Sequence, residues 1–499
     1  MNYYFGDLHA HCDTAYGHGS LDAALARARE QLDFCAVPGQ ASWPDMMPPE
    51  GDYKPIVERH NAAFAKYAGL YDHVLKQVAK ENQPKKFVTF QGYEICSTGH
   101  GDLTVISPDD NLPLIRDAET AGDVAAALPD HRVIAYPHHI GYAKGYRGID
   151  WDEFDETMAP IVEIFSLHGC TEDDWAPNPM RLVNGMTFRD GSSTASHGLL
   201  QGKKFGLVGG TDHHSAWPGS HGDGRFAVLA ESLDRDAIWE AIRKRHVVAL
   251  TGDNIRIRFE INEAVTGDAM EDAAGREIRM DIDACDFIDT VDLLRNEECI
   301  AHWRGSRTVT PVPDEIIRAK LRIEWGRLRG GQTVDWDAVV RVPSGCLESV
   351  EPCFHGPRIV SLFNEVFEEP DLPHHIEHVD DSSCAWRSRM HQIKEEFTAE
   401  PQAVNLTVRM PAKEVINLGV NGCHYAHTLE ELMRGSRVHS LRGLYWENVR
   451  FCRAVPEYDF RWSNVVDDEG SGAETDFYRL RIRQANDQMA WSSPIWFSK

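Results

Sequence analysis

Short apolar runs alternate with amphipathic stretches over the first 250 residues of the chain. The stretches with helical periodicity are Leu21–Leu32, Pro55–Lys80, Asp123–Leu128, Ser193–Gln201 and Asp234–His246. The apolar runs have the length and character of buried strands. They are Tyr3–Leu8, Asp33–Val37, Phe87–Tyr93, Leu103–Ile106, Val133–Tyr136, Ile161–Phe165, Phe205–Val208 and Phe226–Leu229. Strands that alternate with helices predict a parallel sheet or an α/β barrel.

The hydrophobic period changes after residue 253. Ile255, Ile257 and Phe259 alternate with charged residues, and the end of the chain has the pattern of a hairpin, Phe477–Gln484 followed by Ala490–Phe497. A period of two predicts antiparallel β-structure with one buried face. We therefore expect two domains, an α/β domain over residues 1–250 and a mainly antiparallel β-domain over residues 251–499.

Two local features are predicted inside the second domain. Thr428 and Glu431 have the spacing of a capping box and predict a short helix. The acidic, proline-containing run Phe367–Ser383 predicts a surface loop.

The charge of the chain disfavours two classes of partner, unless charge is locally segregated. There are 78 acidic and 51 basic residues, which gives a net charge of −27. Such a protein repels nucleic-acid phosphates and anionic membrane surfaces. No run approaches the roughly 20 apolar residues of a membrane span. We expect neither nucleic acid nor membrane as a partner, and a homo-oligomer is compatible with the sequence.

Cysteine usage and the N-terminus suggest a compartment. The 11 cysteines are scattered, without a CxxC pair, which is typical of reduced thiols. The N-terminal residues lead straight into a polar motif and not into a signal peptide. These features predict a cytoplasmic protein.

Metal-ligating side chains follow five of the predicted strands. His9 and His11 follow the first strand, and residues two apart on an extended segment point the same way, so both imidazoles can face one metal ion. The other four strands are followed by short motifs of the same kind. These motifs are Gly92-Tyr93-Glu94, Tyr136-Pro137-His138-His139, Phe165-Ser166-Leu167-His168 and Thr211-Asp212-His213-His214. The carboxyl ends of parallel strands meet at one face, so these residues predict a metal site there.

These motifs resemble the PHP (polymerase and histidinol phosphatase) superfamily. The resemblance covers residues 1 to about 250 and is closest to a long branch with an appended β-domain. That branch is matched by Ala249-Leu250-Thr251-Gly252-Asp253 and by two terminal segments. The segments are Tyr478-Arg479-Leu480-Arg481-Ile482-Arg483-Gln484 and Trp491-Ser492-Ser493-Pro494-Ile495-Trp496. The resemblance implies a distorted seven-stranded (βα) barrel of the TIM type, with two or three metal ions at the carboxyl ends of its strands.

The resemblance also implies a ligand set. One ion would be held by His9, His11, Glu94 and Asp212. Glu94 would bridge to a second ion, held by His138 in preference to His139 and by His168. Histidine nitrogen ligands favour Zn²⁺, Mn²⁺ or Fe²⁺ over Mg²⁺ or Ca²⁺.

The sequence departs from the family pattern at the third metal site. His214 matches one ligand and His18 is a candidate for another, but Gly39 and Gln40 stand where the family has aspartate and histidine. A carboxamide is a poor ligand, so the third ion is expected to bind weakly or to be lost. His214 would then be available as a general acid. The alternative is that His18 or His221 completes the third site.

Basic and aromatic residues in the loop after His138 are typical either of a site for an anionic substrate or of a solvated loop. Lys144 and Arg147 follow His138 within ten residues and are candidate anion clamps, as is Arg225, while Trp43 is a candidate for the site's mouth. His213 is expected to pack, and His221 either faces substrate or lies on a mobile surface loop. The candidate catalytic residues are His214, Asp212, Lys144 and Arg147.

The preferred function is a metal-dependent hydrolase. Two ions that share a carboxylate can activate a bridging hydroxide, which suits phosphoester hydrolysis of a small anionic substrate. The alternatives are a metal-dependent lyase, a lactone, amide or glycoside hydrolase, and a barrel that binds ligand without catalysis.

Overall fold

The computed structural model describes residues 1–178, 180–181, 186–272, 275–306, 316–328, 331–357, 373–392, 400–443 and 447–499. Over these ranges the chain is a strand-rich α/β protein with seven α-helices and several β-sheets. None of the helices in these ranges has both the length and the apolar character needed to cross a membrane.

The elements of residues 1–250 follow the predicted order. The helices are Leu21–Gln31 (α1), Lys54–Glu81 (α2), Ala121–Ala127 (α3), Ala195–Leu200 (α4) and Arg235–Arg243 (α5). The strands are Asn2–Asp7 (β1), Phe34–Ala36 (β2), Gly39–Ser42 (β3), Val88–Ile95 (β4), Leu103–Ser107 (β5), Ile134–Pro137 (β6), Ile161–Ser166 (β7), Gly169–Cys170 (β8), Gly206–Gly209 (β9), Arg225–Ala230 (β10) and Val247–Leu250 (β11). All eight predicted strands and all five predicted helices are confirmed, with shifted ends.

Side chains at the helix starts explain why these helices begin where they do. The Ser20 hydroxyl accepts the Ala23 N–H at the start of α1, and the Asp234 carboxylate accepts the Ala237 N–H at the start of α5. Each cap satisfies a backbone donor that has no partner within the helix.

The strands of this half are only partly parallel. β1 pairs with β2 and β2 with β4 in parallel, and β7 pairs with β9 in parallel within a separate three-stranded sheet. However, β5 is antiparallel to β4 and β6, and β10 is antiparallel to β1. Connection length explains why β4 and β5 are antiparallel and not parallel as predicted. Residues 96–102 between them contain no helix and are too few for a parallel crossover.

The elements of residues 251–499 are mostly strands. The two helices are Leu429–Arg434 (α6) and Glu457–Phe460 (α7). The strands are Arg256–Ile261 (β12), Ala264–Val265 (β13), Ala269–Glu271 (β14), Arg276–Asp283 (β15), Ile288–Arg295 (β16), Glu298–Arg304 (β17), Ile316–Gly326 (β18), Thr333–Arg341 (β19), Cys346–Cys353 (β20), His374–Val379 (β21), Ser383–His391 (β22), Gln402–Pro411 (β23), Val415–Val420 (β24), Cys423–Thr428 (β25), Arg437–Ser440 (β26), Asn448–Phe451 (β27), Val455–Pro456 (β28), Arg461–Asp468 (β29), Thr475–Gln484 (β30), Met489–Ser492 (β31) and Ile495–Ser498 (β32).

Two antiparallel sheets of this half pack face to face. The order of one is β20-β23-β18-β27-β26, with β28 paired to β18, and the order of the other is β21-β22-β19-β24-β25. Their inner faces share one hydrophobic core, in which Leu321 and Leu406 of the first sheet lie with Trp336 and Trp386 of the second. The predicted antiparallel β-structure is confirmed.

The local predictions for this half have mixed outcomes. The Thr428–Glu431 capping box is present at the start of α6. The surface loop predicted over Phe367–Ser383 is wrong where it meets β21, which pairs with β22. Its residues 367–372 lie outside the described residues.

C-terminal strands complete the sheet of the first half. β31 pairs with β11 antiparallel, with Ala249 opposite Trp491, and β30 pairs with both β31 and β32. A shared core adds to this contact, since Phe5 and Leu229 pack in one cluster with Phe259 and Ile482. Pairing of β11 with β31 covers the backbone edge that β11 would otherwise expose. The domain boundary at residue 250 stays a prediction.

Candidate metal centre

The loops that follow β1 and β9 pair with each other and bring their side chains together. The His11 N–H donates to the His213 carbonyl at 2.8 Å, and the Asp212 N–H donates to the His9 carbonyl at 2.6 Å. Ala10 and His213 form an isolated parallel bridge. The backbone pairing therefore continues past the strand ends and places Asp212 beside both histidines.

One group of possible ligands consists of His9, His11 and Asp212. The Nε2 atoms of His9 and His11 lie 3.4 Å and 3.1 Å from Asp212 Oδ1. Glu94, near the end of β4, places Oε2 3.0 Å from His11 Nε2. All four side chains are buried. The structure thus brings together the four residues that were predicted to hold one ion.

Two further groups share residues with the first. His9, Glu94 and His138 form one, and His139, His168 and Asp212 form the other. The His9 and His138 ring centroids are 3.9 Å apart, and His168 Nε2 lies 2.7 Å from Asp212 Oδ2. Because His9 and Asp212 each belong to two groups, the three groups form one continuous cluster.

Buried ring nitrogens without hydrogen-bond partners mark this cluster as a fit for metal ions. They are both ring nitrogens of His138, His139 Nδ1, and the Nε2 atoms of His9 and His11, which lie near the Glu94 and Asp212 carboxylates without an aligned hydrogen bond to them. A buried polar atom without a partner costs free energy, and native proteins rarely leave several together. Divalent cations bound among these imidazoles and carboxylates would satisfy them, and the donor set of nitrogen and oxygen suits a transition metal.

The opposite ring nitrogens of the histidines are held by other groups. His9 Nδ1 lies 2.6 Å from Glu163 Oε2, His11 Nδ1 lies 2.8 Å from the Pro38 carbonyl, and His168 Nδ1 lies 2.5 Å from the Tyr142 hydroxyl. Such partners orient metal-ligating imidazoles and select their tautomer. Glu163 was not predicted as a site residue, although an acidic residue inside the apolar strand β7 was a signal for it.

Electrostatics keep the carboxylates of the cluster ionised. Burial by itself raises the pKa of Asp212, but His9, His214 and His168 hold it well below its usual value. Burial lowers the pKa of His9, yet Asp212 and Glu163 outweigh burial and raise it to about 9. The ring of His138, beside His9 and His139, has its pKa lowered well below the usual value, mainly by burial.

His139 joins the cluster together with its neighbour His138. His138 was predicted to be the ligand in preference to His139. The structure places His138 in a group with His9 and Glu94, and His139 in the group with His168 and Asp212. His139 and Asp212 have φ angles of +35° and +51°, a region that side chains other than glycine rarely adopt. Strained backbone of this kind concentrates at functional sites. The two consecutive histidines after β6 were the sequence signal that both rings could belong to the site.

Gln40 lies against His214, as the altered family motif suggested. Gln40 Nε2 is 3.5 Å from His214 Nε2, and Gln40 Oε1 has no hydrogen-bond partner. His214 Nδ1 lies 2.8 Å from the Asp212 carbonyl, so the ring donates there and keeps a lone pair on Nε2. Burial lowers the pKa of His214 to about 3, with a further contribution from His11.

His18 lies at the same loop but in none of the metal-competent groups found within the described residues. Its N–H donates to the His214 carbonyl at 2.8 Å. The weakened third site and the general-acid role of His214 both stay predictions. The lone pair on His214 Nε2 suits a ligand or a proton acceptor.

Gly39 is required by packing. A Cβ atom on Gly39 would overlap the ring of Tyr67, whereas one on Gly69 in helix α2 would have no atom within 4 Å. We expect Gly39→Ala to destabilise the protein by roughly 1–3 kcal/mol through overpacking. The control Gly69→Ala should stabilise it by up to about 1 kcal/mol, because alanine favours helix. Denaturant titrations measure both, and equal stability of the two variants would contradict this packing.

The predicted anion clamps all have partners of their own. Lys144 Nζ lies 2.7 Å from Asp150 Oδ1, and its side chain is half exposed. Arg147 is ion-paired with Asp102 and stacks over Trp43, with its guanidinium carbon 4.9 Å from the ring centroid.

Arg225 is buried and is used inside the protein. Its Nη2 atom donates to the Gly219 carbonyl at 2.6 Å. The roles of Lys144 and Arg147 toward substrate stay predictions.

His213 and His221 are both buried, and the alternative of a mobile surface position for His221 is wrong. The His213 ring accepts the Ser215 N–H, which agrees with a packing role. His221 Nε2 lies 2.8 Å from Asp253 Oδ1, and with Cys353 these two form a separate metal-competent group. The Arg322 guanidinium lies 3.4 Å from the same carboxylate oxygen and opposes a cation there.

Comparisons with known proteins give distant similarities. No protein-family model matches the chain. The chain is 23% identical over 251 residues to an uncharacterised protein of Chlamydia pneumoniae, covering 46% of this chain and 40% of that protein. It is 25% identical over 185 residues to an uncharacterised protein of Chlamydia trachomatis serovar D, covering 34% and 30%. The chain therefore spans less than half the length of these curated relatives.

One of the solved structures that match the chain does so at low similarity. It is a two-domain protein from Bacteroides vulgatus that contains a predicted PHP-like metal-dependent phosphoesterase. The TM-score is 0.32 and the sequence identity is 12%, over 86% of this chain and 95% of that chain.

Proposed function

We propose that this protein is a metal-dependent hydrolase, most specifically a phosphoesterase that acts on a small anionic substrate. The observation that carries the proposal is the set of buried imidazole nitrogens that make no aligned hydrogen bond, among them His11 Nε2 beside the carboxylates of Glu94 and Asp212. Buried nitrogens that lack a hydrogen bond within the protein are suited to bind cations, and two or three divalent ions would satisfy them. Zn²⁺, Mn²⁺ and Fe²⁺ are the candidates by ligand preference.

The residues of the cluster would have two roles in such a site, as metal ligands and as groups that orient those ligands. His9, His11, Glu94, His138, His168 and Asp212 would hold the ions, with His139 added by its position and His214 as a ligand or proton acceptor at Nε2. Bound divalent ions supply Lewis-acid chemistry, which activates water and polarises a phosphoryl oxygen. Glu163, Pro38 and Tyr142 keep the rings oriented.

The family assignment and the barrel belong to the same proposal. The motifs at the carboxyl ends of β1, β4, β6, β7 and β9 support membership of the PHP superfamily, and the order of the elements is compatible with a distorted (βα) barrel. Gln40 beside His214 supports a centre with two strongly held ions and a weak third site. A lyase or lactonase that needs only two ions is the second candidate on that ground.

Metal analysis and a substrate panel test the proposal. We expect protein expressed in metal-rich medium to hold at least two transition-metal ions per chain and to hydrolyse phosphomonoesters. A chelator should abolish turnover, and Mn²⁺ or Zn²⁺ should restore it. His11→Ala should lose metal and activity, while the control His73→Ala, on the exposed face of α2, should lose neither. Less than one ion per chain, or hydrolysis that survives chelation, would refute the proposal; turnover of lactones alone would favour the second candidate.

A further inference from the structure

A cavity of about 500 Å³ lies between the two halves of the chain, beside the candidate metal centre. Leu167 and His213 line it, and they are the chain neighbours of His168 and Asp212. The opposite wall includes Arg322 and His355 of the β-rich half. The volume is in the range of small-molecule sites. The two halves thus enclose a space of ligand size next to the predicted metal ligands.

Arg181 is the cation of this cavity that has no carboxylate partner among the residues that the structure describes. The backbone N–H of Arg181 donates to the His168 carbonyl at 2.7 Å, and the Tyr142 hydroxyl donates to the backbone carbonyl of Arg181 at 3.2 Å. The same hydroxyl lies 2.5 Å from His168 Nδ1. The backbone of Arg181 is therefore held beside a predicted ligand, while the residue is exposed and lines the cavity.

The remaining polar lining suits a ligand with hydroxyl or amino groups. Asp223 and Glu400 line the cavity together with His221 and His355. Asp223 also accepts the Ser220 hydroxyl at 2.6 Å, but a carboxylate has several acceptor sites and a neutral imidazole has one, so these groups can accept further hydrogen bonds from a ligand. Arg322 is compensated by Asp253 at 3.4 Å and by Glu324 at 3.2 Å, which leaves Arg181 as the group for a ligand's negative charge.

We propose that this cavity binds the substrate of the metal centre, and that the substrate is a hydroxyl- or amino-bearing organic anion whose acid group pairs with Arg181. The inference rests on the proposed function in calling the ligand a substrate. The β-rich half then has a direct role, because it forms the wall that the non-reacting part of the molecule contacts. Arginine suits the pairing, because its planar guanidinium binds carboxylate or phosphate through two hydrogen bonds.

Binding of a matched pair of small molecules tests this site without reference to turnover. Gluconate is a polyhydroxy carboxylate, and sorbitol is its uncharged counterpart of equal chain length. Calorimetric titrations on the metal-loaded full chain should show gluconate bound more tightly than sorbitol. Arg181→Gln should weaken gluconate binding tenfold or more and leave sorbitol binding unchanged. The control Arg243→Gln, on the exposed face of α5, should alter neither.

A second variant, at His355, tests the wall of the cavity that the β-rich half forms. His355→Ala should weaken gluconate and sorbitol alike, since it removes a group that meets hydroxyls. Absence of gluconate binding by the unmodified protein, equal binding of gluconate and sorbitol, or full gluconate affinity in Arg181→Gln would each refute it. Arg181-dependent binding in a protein that hydrolyses no phosphoester would instead refute the proposed function and leave the binding site standing.

Discussion

Asp212→Asn is expected to remove at least one metal ion per chain and to lower kcat/KM about 1000-fold or more. Asp212 belongs to two of the three ligand groups, with Oδ1 near His9 and His11 and Oδ2 2.7 Å from His168. Asparagine has the same shape but no charge, so it cannot balance the cations that the cluster would hold. Loss of an ion removes the activation of water on which the proposed chemistry depends.

Metal content and turnover should be measured on the same preparation of Asp212→Asn, with far-ultraviolet circular dichroism as the test of folding. Asp117→Asn is the matched control, because Asp117 is exposed and lies in none of the metal-competent groups found in the described part of the chain. A folded Asp212→Asn protein with unchanged metal content and rate would exclude Asp212 as a ligand.

Glu172→Ala is expected to destabilise the protein by roughly 1–3 kcal/mol, the usual cost of leaving a buried hydrogen-bond donor without its acceptor. The donor is the Trp491 indole, because Arg479 keeps a second carboxylate partner in Glu297. Glu172 and Arg479 are both buried, with Oε1 2.7 Å from Arg479 Nη2. The Trp491 indole N–H donates to the other carboxylate oxygen at 2.8 Å. Glu172 therefore binds the C-terminal strands β30 and β31 to the loop that follows β8.

Urea titrations monitored by tryptophan fluorescence measure this loss of stability. Glu348→Ala is the control, because Glu348 pairs with Arg318 and Arg409 near the surface, where an ion pair contributes at most about 1 kcal/mol. Similar midpoints for the two variants would mean that the buried pair does not join the halves as described.

Much of the fold could be predicted because the relevant signals are local. The hydrophobic period distinguishes strand from helix over a few residues, and side chains such as Ser20 and Asp234 mark helix starts. Strand direction was predicted less well, since β10 is paired antiparallel to a strand more than two hundred residues away. The pairing of β11 with β31 is equally distant in sequence, and no local pattern specifies it.

The sequence alone determined which chemical groups stand at the strand ends, because residue type and a short strand are enough to place each of His9, His11, Glu94 and Asp212 at the end of a strand. Tertiary structure decided which atoms meet. It placed His138 and His139 in different groups and gave Lys144 a carboxylate partner. It also left Arg181 facing a cavity that two distant segments enclose. The reason is physical: ion pairs, unpartnered nitrogens and cavities depend on distances of a few ångströms between residues far apart in the chain, and chain spacing does not encode those distances.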